Sequence, residues 1–64
     1  MSGKYKLKAM VEKIQAIRQA AEGLKCLSGG IQAVDKNADR ILASCHMLEI
    51  NITEVAEMVE MKGN

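Results

Sequence analysis

Leu24-Lys25-Cys26-Leu27-Ser28-Gly29-Gly30-Ile31-Gln32-Ala33-Val34 carries the only tandem glycine in the chain, and it divides two long, periodic apolar patterns. Before it, Leu7, Met10, Ile14, Ile17, Ala21 and Leu24 alternate at intervals of three and four. After it, Ile31, Val34, Ala38, Ile41, Cys45, Leu48, Ile52, Val55 and Val59 keep the same alternation. Such spacing puts each set on one stripe of a helix. The two stripes do not join, because passing through Ser28, Ile31 and Val34 takes consecutive steps of three, a slip in the heptad at the glycines. One glycine suits the left-handed conformation that closes a helix, and the other frees the chain to reverse. The pattern predicts an all-α fold, an antiparallel two-helix hairpin. It is expected to form one domain over residues 1–64, with a helix over about 4–28, a turn over about 28–30 and a second helix over about 31–61.

With Leu7 as heptad position a and Met10 as d, the first helix runs through three heptads without a polar core residue. Val11, Ala20 and Leu27 fall at flanking positions and widen the stripe, which suits a bundle contacting more than one neighbour. Gly23 weakens this helix by about 1 kcal/mol relative to alanine, but Leu24 and Leu27 continue the pattern past it. Ser28 or Gly30 is expected to cap the second helix, and Asp35 sits early in it, where the dipole favours a carboxylate. The polar run Asp35-Lys36-Asn37-Ala38-Asp39 stays in phase. One continuous helix of roughly 30 residues, about 45 Å long, is therefore preferred over a third element.

Composition agrees with an all-α reading. The 64 residues are 48% hydrophobic, supplied by Ala, Ile, Leu, Val and Met, with one Tyr, no Phe or Trp and no proline. Charge is divided between the halves. Up to Leu27, six basic residues face two acids, a balance of +4; from Ser28 onward three face six, a balance of −3. Reversal at residue 29 pairs positions whose numbers sum to roughly 58: Leu24 with Val34, Ile17 with Ile41, Met10 with Leu48, Leu7 with Ile52. It also sets Lys4, Lys6 and Lys8 beside Glu49, Glu54 and Glu57, each exposed pair contributing about 0–1 kcal/mol.

Two helices cannot cover their own stripes, so the simplest closure is a homodimer forming an antiparallel four-helix bundle. Its core is expected to hold Leu7, Met10, Ile14, Ile17, Leu24, Ile31, Val34, Ile41, Cys45, Leu48, Ile52 and Val55. A second apolar strip, Ala43, Met47 and Ile50, follows i, i+4, i+7 spacing on the opposite face of the long helix and is a candidate surface for another protein. Met58 and Met61 enrich its C-terminal end.

Chemistry finds little to work with. Cys26 and Cys45 lie roughly 20 Å apart in the hairpin, too far for a disulfide. Cys45 reads as a small buried residue, or one approaching its symmetry mate at a dimer axis; Cys26 falls on the outer face. His46 adjoins Cys45 and Met47, but adjacent helix residues diverge by about 100°, and no four-ligand metal site emerges. No phosphate-binding glycine loop or nucleophile–base pair is present, so neither an enzyme nor a cofactor is expected. Asn51-Ile52-Thr53 matches a glycosylation pattern by chance, at mid-helix. Nothing resembles a signal peptide, no run spans a membrane, and a soluble cytoplasmic protein follows.

The expected function is a non-enzymatic protein–protein interaction or regulatory module acting as a homodimer. The alternative is an RNA-binding regulator of the Rop type, which shares the expected architecture but no sequence motif. That reading would draw on Lys13 and Arg18, against a pI near 7.8 and no aromatic interleaving for base stacking.

Overall fold

The computed structural model describes the backbone of residues 6–63 and the side chains of residues 6–59. The chain is two helices in mutual contact, α1 (Leu7–Leu27) and α2 (Gln32–Gly63), joined by a tight reversal. The first helix starts at Leu7 rather than Lys4: Lys6 has φ −99° and ψ 65°, outside the helical region, and supplies no side-chain cap. No acidic residue occupies the first turn either, so nothing there complements the positive end of the dipole. Lys4 and Tyr5 lie outside the described residues.

The turn is built where the two glycines stand. Ser28 remains right-handed, with its N–H donating to the Lys25 carbonyl at 3.2 Å, and Gly29 and Gly30 then take φ +63° and +92°. Those angles belong to the left-handed region, which side chains with a Cβ rarely enter. Ser28 does not cap α2 from its first turn, and neither does Gly30. Instead the Ser28 hydroxyl accepts from the Gly30 N–H at 3.2 Å and donates to the Asp35 carboxylate at 2.6 Å, tying the end of α1 to the first turn of α2. The Ile31 carbonyl receives the Asp35 N–H at 3.0 Å and so begins the helical ladder.

Beyond the turn, α2 is continuous through Asp35–Asp39. The Asn37 amide donates to the Ala33 carbonyl at 2.9 Å, a local bond compatible with the helix rather than a break in it. At 32 residues α2 outruns α1, which has 21, and the molecule is 50 Å long but only 15 by 12 Å across.

The seam between the helices is narrow. Ile14, Ala21, Ala38 and Cys45 are the buried apolar residues, and Leu7, Leu42, Ile52 and Ala56 are half-buried. The Cys45 thiol lies 4.0 Å from the Ile14 carbonyl oxygen, which marks the register. Steps of seven from that contact bring Ala21 level with Ala38 and Leu7 level with Ile52. Small residues at the middle of the seam let the two backbones approach closely.

Charge pairing follows rotation about the helices rather than distance along them. The ion pairs among the described residues are Arg18–Glu49 and Lys25–Asp39, the latter at 2.6 Å. Among the described residues Glu49 is thus engaged by Arg18 and not by Lys6 or Lys8, and the expected partner Lys4 lies outside them. Glu54 and Glu57 come two and five residues after the seam residue Ile52, which turns them about 200° and 140° from α1, onto the far side of α2.

Candidate functional site

A pair of helices in contact has one line of closest approach. Here the a positions occupy it: Leu7, Ile14 and Ala21 on α1, and Ala38, Cys45 and Ile52 on α2. The d positions, three residues further on, are rotated about 60° away. In antiparallel helices that rotation carries both d rows to the same side of the seam. Met10, Ile17 and Leu24 therefore share a face with Ile41 and Leu48, and these five keep between 40 and 45% of their surface exposed. Val34 and Val55, on the same row of α2, are half-buried.

The opposite side of the seam carries the charge. Arg18 and Lys25, four residues after the buried Ile14 and Ala21, reach across to Glu49 and Asp39. Glu49 supports the Arg18 guanidinium first by a hydrogen bond and then by Coulomb attraction, and Asp39 does the same for the Lys25 ammonium; both groups are held above their ordinary pKa. On the apolar side, the d positions and the residues beside them (Lys13, Ala20, Leu27, Asn37, Ser44, Asn51 and Met58) include one charged group among the described side chains, Lys13. The hairpin has one charged edge and one apolar face free of acid.

Toward the ends remote from the turn, this face opens into a groove of about 510 Å³, walled by Leu7, Met10, Lys13 and Ile14 from α1 and Leu48, Asn51, Ile52 and Val55 from α2. Its exposed wall is wholly apolar, Lys13 and Asn51 contributing their stems. Sequence reasoning placed six of these residues in a bundle core without foreseeing the groove. Its signal was the level pair Met10 and Leu48, two flexible side chains splayed from a seam that they flank rather than fill.

The twelve residues expected in a core thus divide. Ile14 and Cys45 are buried; Leu7, Val34, Ile52 and Val55 are half-buried; Met10, Ile17, Leu24, Ile31, Ile41 and Leu48 are exposed in the single chain. Cys45 points into the intrachain seam, 1% exposed, so α1 already covers the thiol that the alternative reading set at a dimer axis. Cys26 is exposed and free. Ala43, Met47 and Ile50 lie on the back of α2, exposed, and form no part of the face just described.

Arg18, one of two residues on which RNA contact would depend, has its guanidinium committed to Glu49. No cluster of three or more His, Cys, Asp or Glu side chains suited to a metal ion forms among the described residues. His46 is exposed. Among the same residues, no helix is long and apolar enough to cross a membrane. No protein-family model matches the chain, and no curated protein or solved structure shows significant similarity to it.

Proposed function

We propose that this protein is a non-enzymatic interaction module that works as a homodimer, two hairpins closing into a four-helix bundle and presenting their outer surfaces to another protein. One observation carries the reading: a continuous face of large apolar side chains, Met10, Ile17, Leu24, Ile41 and Leu48, lies on one side of the seam while the ion pairs lie on the other. Contiguous apolar surface of this extent marks an association site. An acid-free face also suits a second copy of itself, since no buried carboxylate would be left unpaired at the interface.

The outer surface then includes Ala43, Met47 and Ile50, where exposed methionine and isoleucine offer an adaptable contact for a partner helix. The reducing cytoplasm fits an exposed thiol such as Cys26. Light scattering coupled to size exclusion tests the assembly: the wild type should elute with the mass of two chains and Ile17→Asp with the mass of one. Identical single-chain masses for both would refute the homodimer.

A further inference from the structure

The apolar face is not uniform along its length. At the open end, Leu7, Met10, Leu48 and Val55 wall the groove of about 510 Å³. At the turn end of the same face Leu27 is 84% exposed, against 44% for Met10 and Leu48 at the groove, and Leu24, three residues before it, is its neighbour on the helix surface. One hairpin therefore offers a strongly exposed leucine projection at one end of the face and an apolar recess at the other.

We infer that the two hairpins stack face to face in opposite directions, so that Leu24 and Leu27 of each copy enter the groove of the other. The inference rests on the homodimer reading and adds to it the orientation of the copies and the occupant of the groove. A two-fold axis across the long axis of the hairpin exchanges its ends, so one projection and one recess per chain satisfy both copies at once. The parallel alternative sets groove on groove and tip on tip. It leaves an unfilled apolar cavity at one end, whose walls lose their dispersion partners. It also gathers both copies of Lys13, the one charge on the face among the described residues of the helices, at the same end, whereas the antiparallel stack separates them along the bundle.

The copies overlap along the 21 residues of α1, about 31 Å, and the part of α2 that outruns α1 stays outside the stack. The stack also places Leu27, at 84% the most exposed large apolar side chain among the described residues, against the other copy's Met10 and Leu48.

Energy transfer between labelled chains tests the orientation. Cys26 is exposed and Cys45 buried, so a thiol-reactive dye attaches at Cys26; a Cys26→Ser/Lys8→Cys variant moves the label to the open end, again off the apolar face. Donor-labelled wild type is co-refolded with acceptor-labelled wild type or with the acceptor-labelled variant, so that only mixed dimers transfer energy. The antiparallel stack predicts more efficient transfer from Cys26 to the variant's open end than from Cys26 to Cys26. The reverse order would overturn the orientation while leaving a homodimer. Absence of transfer in both mixtures would overturn the homodimer reading together with it.

Discussion

The Cys45 thiol lies 4.0 Å from the carbonyl oxygen of Ile14, and both residues are buried. This contact marks the register of the hairpin, in which Met10, Ile17, Leu24, Ile41 and Leu48 share one side of the seam. A slip of α2 by one residue would turn its d row by about 100° and part Ile41 and Leu48 from Met10, Ile17 and Leu24.

The seam should resist enlargement at its centre. Ala38 is 0% exposed and stands level with Ala21, itself 3% exposed, so an isobutyl side chain has no room between the helices. Ala38→Leu is expected to destabilise the hairpin by about 1–3 kcal/mol, read from urea melts at one fixed protein concentration. The same substitution at Ala43, on the exposed back of α2, should leave the midpoint nearly unchanged.

The glycines should separate into two kinds. Gly23 lies within α1 with nothing inside 4 Å of the place a methyl group would take, so Gly23→Ala should stabilise the chain by about 1 kcal/mol through helix propensity alone. Gly30 has equally open surroundings but φ +92°, and Gly30→Ala should cost about 1–2 kcal/mol through backbone strain. Thermal melts of the two variants should therefore move in opposite directions. A shared direction would contradict the turn geometry.

The Lys25–Asp39 pair makes a prediction about pH. Asp39 raises the Lys25 ammonium above its ordinary 10.5, chiefly by a hydrogen bond and then by Coulomb attraction. A group with a raised folded-state pKa contributes its full stabilisation below the unfolded value and loses it as pH climbs through the folded one. Wild type and Asp39→Asn should thus differ by a small, constant urea midpoint near pH 7 and near pH 9, and converge only above pH 10.5. Convergence already near pH 9 would show that the pair does not form.

Association should depend on the d rows and not on the outer face. Ile17→Asp or Ile41→Asp puts a charge on the face proposed to be shared, and either should weaken self-association at least tenfold in dilution experiments, since burying an unpaired carboxylate costs several kcal/mol. His46→Ala, at an exposed position beside the buried Cys45, should leave association unchanged.

The hairpin was legible in the sequence because its determinants are local. A tandem glycine, a heptad slip at Ser28 and two unbroken apolar stripes require only neighbouring residues to be read, and the reversal and the continuous α2 lie where they indicate. What the stripes do not encode is which of their rows a single chain can bury. Leu7, Ile14 and Ala21 look no different from Met10, Ile17 and Leu24 in a heptad, yet two helices share only one line of contact, and the second row stays exposed. The charge pairing was misjudged for a related reason. Separation along the chain placed the N-terminal lysines near Glu49, Glu54 and Glu57, but rotation about α2 gives Glu49 to Arg18 and turns the other two outward. The groove beside Met10 and Leu48 lies where these two d-row side chains flank the seam, and the heptad pattern repeats through it without distinguishing that pair from the others.

Sedimentation equilibrium of the wild-type chain at micromolar concentration weighs the assembly itself. The apolar face predicts a single species of twice the 7.0 kDa chain mass, with helical circular dichroism intact. A stable, fully helical species of one chain mass across that range would show that the face on Met10, Ile17, Leu24, Ile41 and Leu48 needs no second copy, and would contradict the account.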